Sequence, residues 1–189
     1  MHNFIKVVFI AVFTLLAGGG TAWADEIAVL KTKFGNIKIE FFEDKAPNHV
    51  KNFKDLARQG FYDGTTFHRV IPGFMIQGGD PNTINKPREM HGFGGPEHTV
   101  DAEFNDIPHD RGIVSMARGQ DPNSAGSQFF IVVKDSHFLD GKYTVFGKVI
   151  EGMDAVDKIV NLRTDSRDNP FEPVNMQVVI KERGGASSK

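Results

Sequence analysis

Cysteine is absent from the 189 residues, which excludes disulfides, thiolate metal sites and thiol chemistry together. Aromatic residues with a polar handle are nearly missing as well: tryptophan occurs once and tyrosine twice. No block of lysine and arginine exceeds two residues, and the formal net charge is only −2, a balance that argues against nucleic acid as a partner. Long apolar runs are also lacking. The longest, Val7 to Leu16, falls short of the about 20 residues that a hydrocarbon core demands. What the chain has instead is phenylalanine, 17 of them, so a Phe-rich core and a Phe-lined groove are expected.

The short apolar run has the form of a secretory signal. Lys6 supplies the positive n-region, Val7 to Leu16 the h-region, and Ala22-Trp23-Ala24 a small-x-small cleavage site before Asp25. Residues 1–24 are therefore expected to be removed, leaving one domain over 25–189 with no membrane association. The signal takes one of the 22 basic residues with it and none of the 24 acidic ones.

Along the remaining chain, Glu26 to Thr32 and Phe34 to Phe42 alternate apolar and polar residues around Gly35-Asn36, the pattern of a β-hairpin. Asp44-Lys45-Ala46-Pro47 opens a helix, with Asp44 as N-cap and Val50, Phe53, Leu56 and Ala57 as its apolar stripe up to Gly60. Short strands follow at Thr65–Ile71, Met75–Gly78, Gly112–Ala117, Gln128–Val133 and Tyr143–Val149. A second helix spans Gly152–Val160, a last strand Asn175–Lys181, and residues 181–189 read as a frayed tail. The Gly/Pro-rich stretch from Asp80 to Asp101 is too long for a simple connection, so it is either functional or packed on itself. Many short strands with two separated helices point to a closed antiparallel barrel with a helix over each open end.

Within this pattern one stretch stands out: Phe67-His68-Arg69-Val70-Ile71-Pro72-Gly73-Phe74-Met75-Ile76-Gln77-Gly78-Gly79-Asp80. An arginine among apolar residues needs a partner or a ligand to act on. With Gly126-Ser127-Gln128-Phe129-Phe130, this stretch resembles the cyclophilin-type peptidyl-prolyl cis-trans isomerases, and the resemblance covers nearly the whole chain after the signal. It implies an eight-stranded barrel with two capping helices and isomerisation of X-Pro peptide bonds. The site it implies uses no cofactor and no metal. The substrates it implies are proline-containing polypeptides, here unfolded or partly folded exported proteins in a bacterial periplasm, and a monomer is expected.

That chemistry defines roles for the residues. Rotation about X-Pro must break amide resonance, a barrier of about 18–20 kcal/mol, and twisting localises the nitrogen lone pair. A fixed donor beside that nitrogen then binds the transition state better than either planar form. Arg69, always charged and carrying a rigid fork of N–H groups, is the candidate catalytic residue. Met75 with Gln77, and Gln128 with Phe130, are two apart, so on strands each pair shares a face. The resemblance implies that Phe74, Met75, Phe130 and Leu139 line the proline pocket. It also implies that Ala117 and Arg118, with Gly119, form a backbone edge for the extended substrate. Three positions depart from the better-known eukaryotic members: Arg118 stands where they have asparagine, Phe138 where many have tryptophan, and Tyr143 where they have histidine. Gln120–Ala125 is also one residue longer. The resemblance links that tryptophan, with its indole N–H, to cyclosporin binding, so weak cyclosporin binding is what it implies here.

Rival chemistries have less behind them. Six histidines follow the signal (49, 68, 91, 98, 109, 137), none at the i, i+4 spacing of a helical metal site. Ser127 lacks the G-x-S-x-G elbow of a hydrolase. His68, adjacent to Arg69, alternates to the other strand face unless a bulge intervenes, and is expected to be a hydrogen-bonded structural residue. The remaining alternative is a non-catalytic binder of proline-containing segments that uses the same groove.

Overall fold

The computed structural model describes residues 25–183; the proposed signal and residues 184–189 lie outside the described residues. Strands β1 (Glu26–Thr32) and β2 (Gly35–Phe41) form the expected hairpin, with Thr32 opposite Gly35. Its turn falls at Lys33-Phe34 rather than at Gly35-Asn36. Thr32 fixes it locally, its hydroxyl donating to the Gly35 carbonyl at 2.8 Å and accepting from the Phe34 N–H at 3.1 Å.

Helix α1 (Pro47–Arg58) buries Val50, Phe53, Leu56 and Ala57, as the apolar spacing requires. Asp44 does not cap it: the N-cap position is Ala46, which has no capping side chain. The orphan N–H groups of Asn48 and His49 instead donate to the two carboxylate oxygens of Glu103, at 3.1 and 3.0 Å. A carboxylate at this end also suits the positive pole of the helix dipole.

Six more strands follow: β3 (Arg69–Ile71), β4 (Met75–Gly78), β5 (Ile113–Met116), β6 (Phe129–Val132), β7 (Val145–Glu151) and β8 (Gln177–Glu182). They assemble with the hairpin into one antiparallel eight-stranded sheet, order β3-β4-β6-β5-β7-β2-β1-β8. The expected closed barrel is not formed. The end strands β3 and β8 share no ladder, and the gap is spanned only before each strand, by the bridge of Thr66 with Asn175 and neighbouring bonds such as Phe67 N–H to Val174 O at 3.2 Å. The strand expected over Thr65–Ile71 is accordingly split: its first residues make that bridge and only Arg69–Ile71 enters the ladder.

Helix α3 (Met153–Val160) buries Ala155, Val156, Ile159 and Val160 and packs against β2, β3 and β4, while α1 packs against β7 and β8. Gly152 precedes α3 at φ 96°, where a Cβ would lie 2.1 Å from the Asn36 carbonyl, so only glycine fits. A third helix, α2 (Asn82–Asn85), was not foreseen. It lies in the long Asp80–Asp101 stretch, which folds around Asp80: its carboxylate accepts from the Asn82 and Gly92 N–H groups, and its carbonyl from the Thr83 hydroxyl. Of the tail expected over 181–189, Lys181 and Glu182 are held in β8 and the Arg183 N–H reaches the Asp25 carbonyl, while 184–189 lie outside the described residues.

The two faces of the sheet carry different clusters. One packs on the helices around Phe53, whose ring lies 4.9 Å from Tyr62, 5.3 Å from Phe146 and 5.5 Å from Phe129. The other gathers Met75, Ile113, Phe130, Val132, Leu139 and Val145. Alternation along β4, β5 and β6 sends neighbouring residues to opposite clusters: Ile76, Val114 and Ile131 to the first, Met75, Ile113, Phe130 and Val132 to the second.

Candidate active site

The second cluster floors a groove. Ile71-Pro72-Gly73-Phe74 joins β3 to β4, with the Phe74 N–H on the Ile71 carbonyl at 3.0 Å and Gly73 at φ 74°. Proline at the first central position and glycine at positive φ in the second make a type II turn. The tight reversal fixes the register, placing Arg69 opposite Gln77. The next rungs put Gln77 opposite Phe130 and Phe130 opposite Ser115. Directly paired residues point the same way, so Arg69, Gln77, Phe130 and Ser115 form one transverse row over four strands.

A cavity of about 620 Å³ opens over this row. Its lining includes Arg69, Phe74, Met75, Gln77, Ala117, Arg118, Phe130, Leu139 and Tyr143, nine of the eleven residues singled out from the sequence. Gln128 and Phe138 stand outside the lining. Gln128 braces the wall: its Oε1 accepts from Gln77 Nε2 at 2.9 Å and its Nε2 donates to the carbonyls of Gly92 and Gly94 at 3.0 and 2.8 Å. Phe138 is 63% exposed and packs on the Phe74 ring at 5.4 Å. Met75, Phe130 and Leu139 are buried, and Tyr143 meets Phe130 edge-on at 5.6 Å.

Arg69 leaves this apolar floor partly open to solvent. Its Nε lies 3.7 Å from a carboxylate oxygen of Asp168. Asp168 also accepts the Val70 N–H at 2.8 Å through its carbonyl, and it holds φ 62°, a left-handed conformation. His68 does not turn away to the opposite side. It is buried and lines the cavity beside Arg69. Among the described residues neither ring nitrogen has a hydrogen-bond partner of good geometry, the Thr66 backbone being only a weak neighbour. Burial pushes its pKa down to about 4, against the pull of Asp80. The His68 N–H bonds to the Gln77 carbonyl at 3.0 Å while Arg69 is the ladder partner of Gln77, so two residues oppose one and alternation is broken at residue 68, as in a bulge.

Two features lay beyond sequence reasoning. Behind the floor, His109 stacks on Phe130 at 6.2 Å, with Nδ1 2.8 Å from Asp140 Oδ1 and Nε2 2.9 Å from Ser115 Oγ. The order resembles a nucleophile–base–acid chain, but Ser115 and His109 are fully buried, so no substrate reaches them and the arrangement holds Phe130 in place. Against the push of burial, donation from the His109 backbone and ring keeps the Asp140 carboxyl below its ordinary pKa. No local motif links His109, Ser115 and Asp140. Ser127 is buried too, its hydroxyl bonded to the Gly79 carbonyl at 2.7 Å.

The second feature is the far wall, where the 82–94 and 163–171 segments are joined by Arg88. Its guanidinium donates to Asp165 at 2.8 Å, to the Asn169 carbonyl at 2.9 Å and to the Pro170 carbonyl at 3.0 Å. That contact lowers the pKa of the Asp165 carboxyl below its ordinary value. The only metal-capable group among the described residues is Asp110, Asp135 and His137, all exposed and none of them lining the cavity.

Comparison with known proteins agrees with this geometry. The family model described as "Cyclophilin type peptidyl-prolyl cis-trans isomerase/CLD" matches residues 27–180. A probable peptidyl-prolyl cis-trans isomerase of Brucella abortus is 50% identical over 140 residues, covering 71% of each chain. A peptidyl-prolyl cis-trans isomerase of Acinetobacter baylyi is 44% identical over 164 residues, 82% of this chain and 85% of the relative. Among solved structures, a cyclophilin-type isomerase of Cryptosporidium parvum, determined in the presence of the dipeptide Ala-Pro, aligns with a TM-score of 0.75 at 35% identity. That alignment covers 82% of this chain and 98% of the other.

Proposed function

This chain belongs to the cyclophilin-type peptidyl-prolyl cis-trans isomerases and is an isomerase of that class, and we propose that it accelerates X-Pro rotation in exported polypeptides with Arg69 as its catalytic donor. One observation carries the reading: the guanidinium of Arg69 and the apolar side chains of Phe74, Met75, Phe130 and Leu139 face a single cavity. The proline ring enters over Met75 and Phe130, losing water. Arg69 holds the proline carbonyl and approaches the nitrogen as its lone pair localises. One preorganised donor of this kind supplies about 2.7–4 kcal/mol, roughly 10²–10³ in rate. Positioning of the flanking peptide and exclusion of water from the planar amide supply the rest.

No covalent bond to the substrate forms, and no cofactor is needed. The segment before proline pairs with the Ala117–Gly119 edge. The 1–24 signal supports a bacterial periplasmic location, where slow X-Pro isomerisation limits the folding of newly exported chains. A pure binder of the same segments would have no use for a charged donor aimed at the amide. The test is an assay of cis-to-trans exchange in a short X-Pro peptide, run without a coupling protease. The protein should raise the exchange rate far above buffer; a rate equal to buffer contradicts the proposal.

A further inference from the structure

The lining of the groove has a charge of its own. Arg69, Arg88, Arg118 and Arg167 face it against only Glu89 and Asp165, although the whole sequence has fewer basic than acidic residues. Arg88 is paired with Asp165, and Arg69 lies beside Asp168. Arg118 has no carboxylate partner among the described residues. Its Nε and Nη2 donate to the Lys142 carbonyl at 3.2 and 2.9 Å, and its Nη1 to the carbonyls of Gly119 and Gln120 at 2.9 and 3.3 Å. Its guanidinium also lies 4.8 Å from the centre of the Tyr143 ring. Carbonyls and an aromatic face hold the group still without neutralising it. A fixed positive charge therefore stands at the edge of the proline pocket.

Backbone alternation says which substrate residue meets it. The Met116 N–H points to Thr144 and the Ala117 N–H to Gln128, so the Arg118 N–H turns back toward the Tyr143 side, where no strand of the described chain pairs with it. An extended peptide adding there places the side chain opposite Arg118 on the same face, with Cβ atoms about 4.5–5.5 Å apart. Proline has no N–H and cannot complete such a pair. The nearest residue that can is the one immediately before it.

We propose that Arg118 makes this groove select a carboxylate side chain at the residue preceding proline. The inference rests on the isomerase reading above and deepens it by naming the substrate class. A glutamate there completes an ion pair at a partly solvated rim, and a lysine meets an unneutralised like charge. Attraction in one case and repulsion in the other together give a preference of about three- to tenfold.

The test uses the full chain and blocked Ala-Xaa-Pro-Phe peptides with Xaa Glu, Ala or Lys, measuring both exchange rate and peptide affinity. At low ionic strength kcat/KM should rank Glu above Ala above Lys, and the ratio should shrink toward one at about 0.5 M salt, where screening acts within a few ångströms. Arg118→Gln should bring the Glu-to-Lys ratio to about one, whatever happens to the absolute rates, and Arg118→Glu should invert it. An active wild-type protein with no ranking, a ranking insensitive to salt, or a ranking that survives in Arg118→Gln overturns the proposal. Should a variant lose its native circular dichroism, the salt dependence of the wild-type ratio decides. Ranked affinities without turnover support the role of Arg118 and contradict the isomerase reading instead.

Discussion

Gln77 donates its side-chain amide to Gln128 at 2.9 Å, and Gln128 in turn donates to the carbonyls of Gly92 and Gly94. The chain of bonds ties the strand that faces Arg69 to the long loop that walls the groove. Gln128 thereby acts on the site through Gln77 and the loop, without lining the cavity itself.

Replacing Gln128 by leucine removes two bonds to backbone carbonyls, each worth about 1 kcal/mol net. A roughly tenfold fall in kcat/KM should follow, together with faster amide exchange around residues 92–94. Gln128→Glu should be worse than leucine, because an ionised carboxylate can only accept and would face two carbonyl oxygens. A fully active Gln128→Glu enzyme would show that this brace has no part in the site.

Asp168 combines a left-handed backbone with a carboxylate 3.7 Å from Arg69. Asparagine tolerates that conformation and removes only the charge. Because both side chains are substantially exposed, Asp168→Asn should change kcat/KM by less than about fivefold. Asp168→Val should cost about 1–2 kcal/mol of stability in a denaturant melt through backbone strain. A hundredfold loss of activity in Asp168→Asn would mean that the carboxylate takes part in the reaction and is more than a neighbour of Arg69.

His68 sets a pH dependence of stability. Its pKa is about 4 in the folded chain against 6.5 as the ordinary value. Between those values the unfolded chain binds more protons, so stability is complete above about pH 6.5 and is lost as pH falls toward 4. The loss is at most about 3 kcal/mol. His49, also lowered by burial, adds to it in the same direction. His68→Phe has no unpartnered ring nitrogens, so it should leave stability at pH 7 within about 1 kcal/mol of wild type. Urea melts across that range should show a flatter slope for the variant; an unchanged slope would assign the effect to other groups.

These residues also show which parts of the molecule the sequence made legible. The nearness of Arg69 to Gln77 is local, because a Pro-Gly turn and period-2 alternation carry register across a tight hairpin, whereas Phe130, on the separate strand β6, was legible at the pocket only through the family resemblance. The strands and both longer helices followed from apolar spacing. Interactions between distant segments left no such trace. Glu103 caps a helix 54 residues away through the His49 N–H, and Arg88 joins a loop 77 residues on through Asp165. His109 supports Phe130 from behind with no motif of its own. The gap between β3 and β8 depends on the sum of all strand pairings, so alternation in single strands could not reveal it. His68 faces the cavity for a related reason, because the ladder starts at Arg69, four residues after the expected Thr65, and the His68 N–H already meets Gln77.

The proposed role of Arg69 as transition-state donor stands or falls on the exchange rate of an X-Pro peptide with wild type and with Arg69→Ala. Arg69 is 43% exposed in its side chain, so its truncation should leave the melting temperature nearly unchanged. A fall in kcat/KM of about 10²–10³ is expected for a variant that remains folded. A folded Arg69→Ala enzyme that turns over at the wild-type rate would contradict that role.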